Sequence, residues 1–187
     1  MKFLFPTAFL AICSLTTAMA QDDLSWKTAI KNYRQQIKTY HFADAYAGMN
    51  NLTVERDSWK QSRSLMMTTA QRLMKWKKLL ITDLNDRHYF APVRDKFGIR
   101  YQGIQSATEQ SLSVKVPYGT EQLPWTKFRS ETLISVANSF IRKGSPDAFA
   151  RASLSQLAAA ELAHPAAGLL TTVHTETAET TIEPLRK

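Results

Sequence analysis

The chain is nearly free of cysteine: Cys13 is the single thiol in 187 residues. It lies inside a segment that reads as a secretory leader. Lys2 is the charged start, Phe3 to Leu15 is the apolar run, and Ala18-Met19-Ala20 is a small-x-small cleavage site. Cleavage after Ala20 gives a leader of residues 1–20 and a mature chain starting at Gln21. The apolar run is too short to span a bilayer, which disfavours an uncleaved anchor. Ile12 is a poor neighbour for a lipid-carrying cysteine, so the lipoprotein reading is the weaker one. The mature chain then has no thiol, which excludes a disulfide framework, a cysteine nucleophile and a thiolate metal site. Export without disulfides leaves an ordinary hydrophobic core to hold the fold, and about 167 residues suffice for one. It also suits a bacterial periplasmic or secreted protein better than a small extracellular animal domain. The triplet Asn51-Leu52-Thr53 is a glycosylation sequon that arises often by chance.

Other absences narrow the chemistry. Acidic residues number 16 against 24 Lys and Arg, and the acids are dispersed rather than paired as a glycosidase would pair them. The four histidines, His41, His88, His164 and His174, have no second ligand at metal spacing, and there is no H-E-x-x-H. G-x-S-x-G, the phosphate-binding loop and G-x-G-x-x-G are all missing. The sequence therefore assigns no catalytic, cofactor-binding or metal-ligating residue, and no cofactor. His88, between Arg87 and Tyr89, is the most reactive-looking position; a solvent-facing histidine at a strand edge is the plainer reading.

What the chain does have is helical periodicity. Trp59, Met66, Leu73 and Leu80 recur every seven residues, with Ala70, Trp76 and Leu84 beside them. That stripe predicts one long helix over residues 59–84, with Asp57 or Ser58 as cap and Asn85-Asp86 as stop. Such a helix of about 26 residues would be roughly 39 Å long, enough to support several neighbours. Upstream, Trp26, Ile30, Tyr33, Ile37 and Tyr40 predict a helix over residues 24–41 capped by Asp23. A shorter one over 43–50 follows at once, so the pair reads as an αα-hairpin. Tyr33, Tyr40, Phe42 and Tyr46 form an aromatic set that packs a core or lines a groove.

After Asn85 helical spacing stops. Residues 88–93, the alternation Ile99-Tyr101-Gly103, and Leu112-Val114-Val116 predict three short strands. Asp95 to Gly98 is a turn between the first two, Ser106 to Gln110 a loop, and Pro117 to Gly119 the close. This antiparallel meander, an insert at about 87–118, is too small to stand alone and needs the helices under one face. Ser130 is read as the cap of a helix over 131–143 that Gly144 ends. Ser145-Pro146-Asp147 restarts an alanine-rich helix over 146–163 with Leu154, Leu157 and Leu162 inward. A last short helix at 169–174 and a frayed tail over 175–187 complete the chain.

Two stretches carry a resemblance. Tyr40-His41-Phe42-Ala43-Asp44-Ala45 is followed by Leu73-Met74-Lys75-Trp76-Lys77-Lys78-Leu79-Leu80-Ile81-Thr82-Asp83-Leu84-Asn85. Later comes Leu123-Pro124-Trp125-Thr126-Lys127-Phe128, then Leu133 and the alanine-rich helix. Together they resemble an uncharacterised bacterial region of helices, small β-insert, tryptophan and helices, found in exported proteins and attached to larger chains such as protein kinases. Its helices are similar to tetratricopeptide-type hairpins, although that repeat consensus is missing here. The resemblance implies a helical scaffold, no catalytic residues, and Trp125 as the junction between β-insert and helices.

The expected fold is thus α+β and mainly α: helical hairpins around a long central helix, with a three-stranded antiparallel meander inserted in a single domain over residues 21–174. The expected role is a non-enzymatic, exported protein-interaction or scaffold module whose partner is another protein. The net charge of +8, or +7 without Lys2, supports an alternative: binding an anionic envelope polymer or a membrane surface. Export argues against nucleic acid, and a cleaved chain is not an integral membrane protein. The plain reading of the charge is solvation, because Lys and Arg are spread along the chain.

Overall fold

The computed structural model describes residues 9–166, with side chains from residue 23 onward. The expected short helix at 169–174, the tail from 175 and His174 lie outside the described residues. Among the described residues five helices carry the fold: α1 (Phe9–Lys38), α2 (Phe42–Asn50), α3 (Asp57–Arg87), α4 (Ser130–Ser139) and α5 (Ala148–Ala163). Between α3 and α4 lie five short strands: β1 (Val93–Arg94), β2 (Arg100–Tyr101), β3 (Ile104–Ala107), β4 (Ser111–Val116) and β5 (Gly119–Pro124). A 3-10 turn at Trp125–Lys127 leads back to the helices. The fold is α+β and mainly α.

The helix α3 is the packing partner for most of the rest. Trp59, Met66, Ala70, Leu73, Trp76, Leu80 and Leu84 are all buried along it, as a single apolar stripe requires. It touches α2, α5 and β3, while α1 folds back on α2 through a tight turn at Thr39 to His41. There Tyr40 takes a positive φ of 63°, a conformation that costs a bulky residue energy. Its burial and the bond from the His41 amide to the Gln36 carbonyl (2.9 Å) hold it. At the other end, Trp26 of α1 stacks on Trp59 of α3 with centroids 5.3 Å apart. Arg56 lies over Trp59 and pairs with Asp23 at 3.1 Å.

Several boundaries differ from the sequence expectation. Asp23 lies within α1, so it serves as an ion-pair partner, not a cap. α3 is capped at Arg56 without a side-chain bond, and Asp57 instead pairs with Lys60 within the first turn. Asn85-Asp86 do not stop α3, which continues to Arg87. Asn85 has another use: its amide donates to the Ala107 carbonyl (3.1 Å) and its oxygen accepts the Ala107 amide (2.8 Å). Likewise α4 starts at Ser130 behind an Arg129 cap and ends at Ser139, four residues early. α5 starts at Ala148, outside the Pro146 turn.

The meander has three strands, but not the expected three. Residues 88–93 supply only a bridge at Tyr89 to Ile104 and the start of β1, and β1 pairs with β2 in a separate two-stranded ribbon. The expected loop at 106–110 is half strand: β3 runs through Ala107. β4 pairs with β3 on one side and β5 on the other, around a two-residue turn at Pro117-Tyr118. The sheet therefore extends to Pro124, past the expected end near 118. Gly103 is fixed by contact as well as by its φ of 155°: a Cβ there would lie 2.3 Å from the Tyr89 carbonyl oxygen.

Candidate functional site

The β3–β4 turn is held against the helices through its main chain. Lys77 of α3 is buried although charged. Its Nζ donates to the Tyr40 carbonyl at 3.0 Å and the Glu109 carbonyl at 2.5 Å, pairs with the Glu109 carboxylate at 3.2 Å, and lies 5.2 Å from the Trp125 ring centroid. Desolvation lowers the Lys77 pKa below the ordinary lysine value, with Glu109 opposing. All three ammonium hydrogens are thus engaged, so Lys77 acts as a brace rather than a free nucleophile. Trp125 is buried, donates from Nε1 to the Thr108 carbonyl (3.0 Å) and packs near Tyr40, centroids 6.1 Å apart. Trp125 is therefore the junction residue between β-insert and helices. With Asn85 on Ala107, three side chains grip the consecutive residues 107 to 109.

Beside this junction opens a cleft of about 590 Å³ between the start of α2, the middle of α3 and the β3–β4 turn. Its walls are Tyr40, Phe42 and Met74, with Lys75, Lys78 and Glu109 at its polar edge. Met74 is 39% exposed and presents its apolar side chain at the cleft wall. His41 precedes α2 without a side-chain cap bond, so the amides of Phe42, Ala43 and Asp44 bear the positive end of the helix. Lys75 and Lys78 have no ion pair among the described residues. The cleft therefore joins an apolar floor to a rim of mixed charge, where Asp44 and Glu109 line the wall along with Lys75 and Lys78.

The aromatic set divides. Tyr33, Tyr40 and Phe42 are core residues, and the Tyr33 hydroxyl donates to the Met66 carbonyl (3.1 Å). Desolvation, helped by Glu161 for Tyr33 and Glu131 for Tyr40, pushes both phenols well above their usual range. They do not line a common groove with Tyr46; Tyr40 and Phe42 touch the cleft and Tyr33 does not. The histidines are scattered. His41 lines the cleft, exposed His88 hydrogen-bonds the Gln105 carbonyl and meets Phe90 edge-on, and exposed His164 ends α5. Among the described residues no three His, Cys, Asp or Glu are placed to hold a metal ion.

A second charged cluster is structural. Buried Asp83 accepts from Arg87 and from Arg151 of α5, the latter at 2.6 Å, and Arg151 also binds Asp147 at 2.5 Å. The Ser145 hydroxyl and Arg151 hold the Asp147 carboxyl below its usual range. This network clips α5 to α3. The sequence reading missed both Asp83 and Lys77, yet Lys77 carries a signal. It falls in the run Ala70, Leu73, Lys77, Leu80, Leu84, with steps of three and four, where a lysine must find buried acceptors.

Among the described residues no helix is long and apolar enough to cross a membrane. Comparison with protein-family models, curated proteins and solved structures finds no match to this chain.

Proposed function

We propose that this chain is a bacterial-type exported, non-enzymatic module that binds a peptide segment of another protein. The segment lies in the cleft between α2, α3 and the β3–β4 turn. An apolar side chain of the partner packs on Tyr40, Phe42 and Met74. An acidic group of the partner faces the first-turn amides of α2 and Lys75 and Lys78. The observation that carries the reading is the cleft itself: an apolar floor, an exposed methionine and two unpaired lysines beside an uncapped helix start. Met suits such a surface because it adapts to varied side chains. The leader-like residues 1–20 support export.

The test is selection of random displayed peptides on the full chain, then on an Ala43→Arg variant. Ala43 is exposed at the cleft wall, so the arginine fills the cleft without disturbing the core. Peptides pairing an apolar residue with a nearby acid are expected to enrich on the wild type and to lose binding on the variant. Enrichment of unrelated peptides, or equal binding to both proteins, would contradict the reading.

A further inference from the structure

The β1–β2 hairpin ends in a turn whose side chains and backbone face opposite ways in polarity. Phe97 and Ile99 are 67% and 52% exposed at its tip. Around them are Arg94, Lys96 and Arg100, all exposed, and half-buried Lys127. Lys96 and Lys127 place their ammonium groups 5.2 and 4.7 Å from the Phe97 ring centroid. The single acid of the turn, Asp95, is buried and faces inward, with Tyr101 Oη and Lys127 Nζ at 3.4 and 3.9 Å from its Oδ2. Glu121 is the other acid felt at Tyr101. Arg94, Lys96 and Arg100 have no ion pair among the described residues.

The backbone of this turn is satisfied from within. The Asp95 amide donates to the Ile99 carbonyl (3.0 Å), that of Lys96 to the Lys127 carbonyl (3.0 Å) and that of Gly98 to the Asp95 carbonyl (3.1 Å). The Phe97 and Ile99 amides both donate to Asp95 Oδ1 at 2.9 Å. Five consecutive amides thus keep no donor for water. An aspartate that accepts amides of its own turn is ordinary turn chemistry, and it has the further consequence that the turn can leave water without stranding a donor. Two exposed apolar side chains within a collar of cations add the two attractions that hold a peripheral element at an anionic bilayer: apolar burial and charge.

We propose that the β1–β2 hairpin is a membrane-surface anchor that inserts Phe97 and Ile99 into the headgroup–acyl boundary of an anionic lipid bilayer. The exposed Arg94, Lys96 and Arg100 face the lipid phosphates, with Lys127 behind them at Asp95. The proposal is independent of the cleft, whose lining includes none of these residues.

The test uses the full chain with Cys13→Ser and Phe97→Cys, labelled at the new thiol with an environment-sensitive fluorophore. A second protein carries the label through Gln71→Cys on the exposed face of α3. Vesicles of phosphatidylcholine with phosphatidylglycerol are compared with pure phosphatidylcholine. The expected result is a blue shift at position 97 with the anionic vesicles, reversed by salt, and little change at position 71. Adding Lys96→Glu and Arg100→Glu should weaken the response by roughly tenfold or more, since each basic residue near an anionic surface contributes about fivefold. Circular dichroism of that variant checks that it folds. Equal shifts at both positions would place the contact elsewhere and overturn the proposal. So would no shift at position 97, a shift unaffected by charge reversal, or an equal response to a soluble anionic polymer.

Discussion

The junction around Trp125 and the tip around Phe97 lie in the same β-insert, are built from the same residue types, and are used in opposite ways. At the junction a lysine, an asparagine and a tryptophan each bond a main-chain atom of residues 107 to 109, and Lys77 also binds the Tyr40 carbonyl on the helical side. At the tip the backbone is satisfied by Asp95, while the aromatic and basic side chains are left outward. The difference teaches that polar groups at the junction are committed to architecture, whereas at the tip Lys96, Arg100, Phe97 and Ile99 are left outward, with Arg94 on the Gly98 carbonyl and Lys127 beside Asp95. It also separates two lysine classes. Lys77 is buried and engaged; Lys75 and Lys78, on either side of it, are exposed.

Substitutions can break or sharpen this contrast. Trp125→Ala should have the largest effect, a loss of about 3–5 kcal/mol of stability in denaturant titration, because it removes a buried ring and orphans the Thr108 carbonyl. A loss near zero would mean the insert does not depend on the junction. Gly103→Ala comes next, roughly 1–3 kcal/mol, since the Cβ must displace the Tyr89 backbone. Lys77 yields a subtler signature. Its pKa is lowered on folding, so the unfolded chain binds more protons between the folded value and the ordinary one near 10.5. Stability contributed by this site therefore rises with pH across that window. The gap between wild type and Lys77→Met should widen in favour of the wild type there, read from unfolding midpoints at a series of alkaline pH values. Tyr33 and Tyr40, whose pKa values are raised, act oppositely above the ordinary phenol range, and comparing the two proteins cancels them. The smallest effect belongs to the tip: Phe97→Ser with Ile99→Ser should change stability by about 0.5 kcal/mol or less, as exposed positions do. A large loss there would show that the tip is packed against something and undo the contrast.

The helical half was legible because burial there follows a single period. Every seven-spaced residue from Trp59 to Leu80 is buried, as are Tyr33, Ile37, Phe42 and Met49. The β-insert was legible only where alternation was strong. β4 shows it in Leu112 and Val114, but β5, Gly119–Pro124, buries Leu123 alone, so its sequence resembles a loop. An edge strand paired on one side needs little apolar patterning, and hydrogen bonds to β4 supply what periodicity does not. Helix ends were the other weak point. Asp23, Asp57 and Asn85 all have side chains suited to capping, yet other partners claimed each: Arg56 and the Ala107 backbone across the fold, and Lys60 within the first turn of α3. The cleft was invisible because it is made where three segments meet, although Tyr40, Phe42 and Ala43 fell within the stretch that carried the resemblance.

The most direct test of the peptide-binding account is amide hydrogen exchange of the full chain with and without a peptide enriched on it. The account predicts slowed exchange at the Phe42, Ala43 and Asp44 amides, the uncapped first turn of α2, and no change at the Asp95 to Ile99 turn. Protection confined to residues outside the cleft, or none at α2, would contradict it.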